Sequence, residues 1–400
     1  MTGSTSVPTR GDRRPVGAIG VDARSLAPDL ARGAMLLLIA LANAHVFLYG
    51  HQLGVRGYPV SETIADRAVT VVQMTLVDGR AYPMFAALFG YGIVQILRRQ
   101  TAAGLDQVAV GRLVRRRGAW LVLLGFAHAL LLFSGDIIGA YGLLAVVLAG
   151  VLLRTTDRRL LSVAGLWLIV TAVFGALQGV PLPDGAQALL PSMSTRDPLL
   201  AAAFRAAEWV GLTLSMVLFS LVPALLLGVW AARRRLLDDP ERHRRFLLWA
   251  AVVGIGLAVA GGLPMALMAG SVWQDPAVTT IMLAGSLHAV TGYAGGIGYA
   301  AVAGLVAIRV RDRRGAVVAA LAVCGQRSMT CYLSQSVVFV AVLAAYGGGL
   351  GDRFGIAPTA ALAVGTWALT VLAADIMRRC RHRGPAELLL RRLTYGRRPG

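Results

Sequence analysis

Lysine is absent from this chain: all 39 basic side chains are arginine, set against only 20 acidic ones, for a formal net charge of +19. So uniform a bias reflects GC-rich coding more than arginine-specific chemistry. Cysteine is nearly absent too. Cys324, Cys331 and Cys380 are too few for a disulfide framework, and on one continuous helix the first two stand about 10 Å apart, beyond bridging distance. Close histidine pairs at helical spacing are missing, which removes the usual zinc-site pattern and leaves no metal expected. There is no sequence repeat between the two halves of the chain.

What is abundant is apolar surface. Hydrophobic residues make up 56% of the 400, and the mean hydropathy is +0.66, more than a soluble fold could bury. The spacing predicts an all-α, polytopic membrane protein of about ten transmembrane helices: 30–50, 80–98, 113–134, 137–154, 159–179, 209–232, 245–270, 278–308, 316–346 and 357–377. Each approaches the roughly 20 apolar residues that cross a hydrocarbon core of about 30 Å.

The charges fall in alternate gaps. Arg10, Arg13, Arg14 and Arg24 lie in the N-terminal tail, and Arg98, Arg99, Arg112 and Arg115–Arg117 in the third gap. Further groups are Arg154, Arg158 and Arg159; Arg233–Arg235, Arg242, Arg244 and Arg245; Arg309, Arg311, Arg313 and Arg314; and the tail from Arg378 to Arg398. The gaps between hold Glu62, Asp66 and Asp136 with few arginines, Arg56 and Arg67 among them. By the positive-inside rule both termini are cytoplasmic, in a bacterial plasma (inner) membrane. The positive charge then serves the anionic leaflet, at about 1 kcal/mol per arginine, and a nucleic-acid partner is not expected. Arg13-Arg14 and Ala42-Asn43-Ala44 imitate a cleaved signal, but Asp29 and Arg32 at the head of the apolar run argue for a retained first span.

Four regions follow: a disordered cytoplasmic tail (1–25), an N-terminal five-helix half (26–179), an outside loop (180–207) and a C-terminal five-helix half (208–396). Residues 60–78 are too polar for a span and are expected to lie along or dip into the outer interface. Pro385 through Gly396 reads as a short amphipathic helix, with Glu387 and Arg391 paired at i,i+4 and Leu389, Leu390 and Leu393 forming a stripe suited to the membrane surface.

Polar groups inside a membrane are costly and mark sites to be explained. Asp29 and Arg32, at i,i+3, can pair on the first span or meet an anionic substrate group. Asn43, His45, His51, Asp78, Arg80, His128 and Asp136 gather at the outer end or outer half of the first spans. Histidine with carboxylate suits general acid–base catalysis or a proton path, and interhelical hydrogen bonding is the plain structural alternative for any one of them. His288 falls near the middle of the eighth span. Gln326, Ser328 and Gln335 open the ninth, where so many polar side chains suit a protein-enclosed cavity or helix–helix contacts.

These residues fall in motifs. Asp29-Leu30-Ala31-Arg32-Gly33 with Asn43, then Asp78-Gly79-Arg80 before Phe85-Ala86-Ala87-Leu88-Phe89-Gly90, resemble the start of the YeiB-like family of bacterial membrane proteins. Leu124-Gly125-Phe126-Ala127-His128 with Ser134-Gly135-Asp136 is similar to its third-to-fourth span junction. Gly325-Gln326-Arg327-Ser328-Met329-Thr330 and Gly384-Pro385-Ala386-Glu387 resemble its C-terminal domain, a domain of unknown function. The family's first spans are distantly similar to membrane acyltransferases such as heparan glucosaminide N-acetyltransferase. That resemblance implies acyl transfer from cytoplasmic acyl-CoA, a co-substrate and not a tightly bound cofactor, to a hydroxyl or amine outside. It implies a histidine near Asp78, for which His45, His51 and His128 are the alternatives, with Asp136 supporting the cavity. The competing expectation is a transporter or permease for a small metabolite or lipid, proton-coupled through the same residues.

Overall fold

The computed structural model describes residues 25–60, 63–182, 186, 188–311 and 315–396. The N-terminal tail up to Arg24, Glu62, Pro183, Arg313, Arg314 and the final residues from Arg397 lie outside them. Every regular element among the described residues is helical. The helices are α1 (Leu26–Ala44), α2 (Ile64–Leu76), α3 (Ala81–Ala102), α4 (Gln107–Leu131), α5 (Ile138–Arg154), α6 (Asp157–Gly179), α7 (Pro191–Ser194) and α8 (Pro198–Ser215). Then follow α9 (Val222–Arg233), α10 (Arg244–Ala269), α11 (Val278–Arg309), α12 (Ala316–Gln326), α13 (Ser328–Val342), α14 (Ile356–Arg379) and α15 (Pro385–Tyr395). Local chemistry sets several starts. Thr63, Asp106, Thr156 and Asp197 each accept a backbone N–H of the first turn, and Pro198 occupies the first position of α8.

Six helical stretches are long and apolar enough to cross a membrane: Leu26–Phe47, Asp157–Gly179, Pro198–Ser220, Arg244–Ala269, Val278–Arg309 and Ile356–Arg379. The bent pair α12 and α13 makes a seventh if taken together. Tyrosines, glycines and Gln95 dilute α3, the first half of α4 carries Arg112 and Arg115–Arg117, and α5 and α9 are short. All four still pack into the main core, through Met84 and Leu88, Val114 and Leu121, Leu144 and Ala145, and Leu225 and Val229.

Glycine lets the helices touch. Gly33 of α1 lies against the Leu321 carbonyl of α12, and Gly228 of α9 against that of Ala87 on α3; a Cβ at either place would collide with backbone. Between α8 and α9 a π-helical turn, Met216–Ser220, frees carbonyls that side chains then satisfy: Trp167 donates to Leu218, Thr171 to Phe219 and Tyr293 to Ser220.

At the arginine-rich end Asp157 binds Arg233 and Arg234 at 2.7 and 2.6 Å. At the opposite end three loops interlock. Tyr49 donates to the Gly349 carbonyl at 3.0 Å, Ala345 N–H to the Met193 carbonyl at 3.0 Å, and Phe47, Phe133, Leu190, Met193, Phe339 and Leu343 form a small core beneath them.

The segment 64–76 is a helix that packs one face on α10 and α14, with Asp66 buried and accepting the Ala357 N–H at 2.7 Å, while Ile64 and Val72 on its other side are exposed. Two sequence expectations change. The ninth span is broken by 87° at Arg327. That break overturns the cysteine spacing: once the helix turns, the Cys324 and Cys331 sulfurs approach to 3.6 Å. The new N-terminus of α13 is held by Glu387 of α15, whose carboxylate accepts from Met329 N–H (2.8 Å), Thr330 N–H (3.2 Å) and the Thr330 hydroxyl (2.6 Å). The C-terminal helix therefore packs on protein, against α4 and α13, with Leu390 buried.

Candidate functional site

Two polar centres lie inside the bundle, below the interlocked loops. The first forms around the turn between α2 and α3. Asp78 takes a two-pronged contact from Arg56, Nε at 3.0 Å and one terminal nitrogen at 2.9 Å. Arg56 reaches it because the loop after α1 turns inward, with Arg56 itself in the left-handed region at φ 59°. Arg80 is fully buried, at 0% exposure. Its guanidinium donates to the Asp78 and Ala258 carbonyls and lies 3.0 and 3.1 Å from the ring nitrogens of His288. His288 is ten residues into α11 and Ala258 fourteen into α10, about 15 and 21 Å along their axes, so this centre sits well inside the helices and not at their ends. His45 stacks on Tyr58 at 4.1 Å between ring centres.

The second centre joins α4 to α5. His128 Nδ1 lies 2.8 Å from the Asp136 carboxylate, whose other oxygen accepts the Gly139 N–H at 2.6 Å. The side chains are 1% and 0% exposed. With Nδ1–H donating to Asp136, Nε2 is left with its lone pair, and it has no hydrogen-bond partner among the described residues. Tyr332 of α13 stands 5.2 Å away, ring to ring. The joining turn is not at a surface: Phe133, Ser134 and Asp136 are all buried, and Tyr346 donates to the Leu132 carbonyl. Nearby, Glu208 accepts from Ser134 and Ser192 hydroxyls at 2.6 Å each. The centres are linked by Tyr82, whose carbonyl accepts the Tyr141 hydroxyl at 3.3 Å.

The residues singled out in sequence thus separate. Asp78, Arg80, His288 and His45 share one centre, and His128 and Asp136 form the other. His51 joins neither, because its Nε2 is taken by the Gly351 carbonyl at 3.2 Å among the interlocked loops. Asn43 is half-buried on α1, two residues before His45. Asp29 and Arg32 pair at 3.4 Å, and Arg32 also donates to the Leu88 carbonyl at 3.3 Å, tying α1 to α3. Gln335 donates to the Leu36 carbonyl at 3.3 Å, joining α13 to α1, while Gln326 and Ser328 flank the break. Asp78 is 3.7 Å from His288, too long for the orienting hydrogen bond that Asp136 supplies to His128. Arg56, Tyr58 and Tyr141 were not singled out. A signal for Arg56 existed: it is one of the few arginines in an arginine-poor gap. Among the described residues, no three His, Cys, Asp or Glu side chains converge in a way that could hold a metal ion.

Comparison with known proteins adds two likenesses. Residues 231–397 match a family model described as a protein of unknown function, DUF418. That stretch contains His288, the α12–α13 break and its Glu387 clamp, whereas Arg56, Asp78, His128 and Asp136 precede it. The uncharacterized protein YxaH of Bacillus subtilis (strain 168) is 25% identical over 403 residues, covering 92% of this chain and 93% of that protein. The chain is thus similar to DUF418 in its C-terminal part and to YxaH over nearly its whole length.

Proposed function

We propose that this chain is an integral membrane acyltransferase-like protein in which the His128–Asp136 pair is the proton-handling group. The observation that carries the reading is the fixed imidazole: its Nδ1–H is held by Asp136 at 2.8 Å, while Nε2 is buried and has no partner among the described residues. A carboxylate clamped by Gly139 N–H orients the ring and stabilises the imidazolium formed on proton uptake. In the transfer, Nε2 takes the proton of an acceptor hydroxyl or amine as its oxygen or nitrogen bonds to the acyl carbon. The carbon–sulfur bond of acyl-CoA breaks, and the CoA thiolate leaves with that proton. The orienting role expected of Asp78 passes to Asp136, and Asp78 instead balances Arg56.

The same reading takes α1, α3, α4, α5, α6, α8 with α9, α10, α11, α12 with α13, and α14 as ten crossings of the bacterial inner membrane. Both termini then face the cytoplasm, and the arginine-rich end meets the CoA phosphates. The test is thermal stabilisation of the detergent-purified protein by acetyl-CoA and longer acyl-CoAs against free CoA and ATP, followed by transfer to added acceptors. A specific shift with transfer abolished in H128Q supports the reading; no shift at millimolar acyl-CoA ends it. A second reading, proton-coupled transport of a small metabolite or lipid, is favoured by the complete burial of the same pair. Uptake driven by a pH gradient, with the solute chemically unchanged, would select it.

A further inference from the structure

A cavity of about 300 Å³ opens between the loop after α1, the start of α3 and the end of α6. Its polar wall is His45, Arg56, Asp78 and Gln178, and the rest includes Leu177, Leu182 and Leu189. The polar wall is incompletely satisfied. One terminal nitrogen of Arg56, beyond the two nitrogens that hold Asp78, is buried there with no hydrogen-bond partner among the described residues. Behind it Arg80 is held by carbonyls and His288, with no carboxylate within ion-pair distance among the described residues. Asp78 therefore balances one guanidinium of two, and with neutral histidines the centre carries one uncompensated positive charge. A free guanidinium nitrogen on the wall, with a second buried guanidinium behind it, selects an anion.

We infer that this cavity is a binding site for a small oxyanion, a carboxylate or phosphate, carried on a short apolar body. Arg56 and Gln178, both on the wall, donate to the oxyanion, and the leucines receive the carbon chain. The site stands apart from the chemistry at His128, and its occupancy does not require that transfer occurs.

The experiment is saturable thermal stabilisation, with calorimetry, of the full chain in phosphatidylcholine nanodiscs. The probes are acetate, butyrate, hexanoate and inorganic phosphate, with butyramide and hexanol as uncharged controls. Hexanoate is expected to bind best and the uncharged controls not at all. Gln178→Leu removes an exposed amide from the wall, so the free protein should melt no lower, yet the anion should bind at least about tenfold more weakly. Leu182→Trp fills the rim from a partly exposed position and should abolish binding while leaving Arg56 and Asp78 intact. Discs containing phosphatidylglycerol form a second arm: protection by that lipid, competed by hexanoate, identifies a headgroup as the source, and protection by hexanoate alone identifies a free solute. Equal binding of amide and carboxylate, or full binding in both variants, would overturn the assignment. His128→Gln should keep anion binding, which separates failure here from failure of the transfer reading.

Discussion

At the residue scale the two centres differ in what each can lose. Asp136→Asn keeps the shape of the side chain but removes the charge that stabilises a protonated His128. The expected result is a 10²- to 10⁴-fold fall, in order of magnitude, in acyl transfer with little change in melting temperature, read by single-turnover transfer beside a thermal scan. Asp78→Asn is a different kind of change. It strands Arg56 and Arg80 as two buried cations, which should cost on the order of 3–5 kcal/mol of stability. The double variant Asp78→Asn, Arg56→Gln should recover part of that loss, measured by unfolding in detergent. His128 and Asp136 were legible in sequence, eight positions apart around a short turn. Their hydrogen bond was not, because separation along a turn does not say which way an imidazole faces.

At the element scale the break between α12 and α13 depends on a partner far away in sequence. Glu387 supplies a carboxylate to two backbone N–H groups and a hydroxyl at the start of α13. Glu387→Ala leaves those donors unpaired and should destabilise the junction by about 1–3 kcal/mol. Faster hydrogen exchange at 328–332 and earlier proteolysis after Arg379 are the readouts. Mild oxidation offers a second check on the bend: Cys324 and Cys331, with sulfurs 3.6 Å apart, should cross-link within one chain, which a straight helix could not do. Gly33→Val should abolish accumulation of folded protein, since the Leu321 carbonyl occupies the space of a Cβ. The apolar lengths of these helices were readable because hydropathy is a local property. The bend, the clamp and the amphipathic helix docked on protein arise from contacts between distant segments, to which no window along the chain is sensitive.

At the scale of the whole molecule, the charge asymmetry makes one prediction: reporters active only outside the cytoplasm should be silent at residue 396 and in the 235–243 loop, and active near residues 196 and 275. The opposite pattern would invert the proposed arrangement. The lengths of its apolar runs determined that this chain is helical and rich in surface suited to lipid, and the spacing of its arginines made its two ends unlike. Those properties sum over residues and need no tertiary knowledge. Only the folded structure decided that the segment 64–76 packs one face on α10 and α14, that Arg56 and not a histidine answers Asp78, and that His51 leaves the site for Gly351. Each of those outcomes is a pairing between segments separated by tens to hundreds of residues, selected by which buried polar groups can satisfy one another once water is gone.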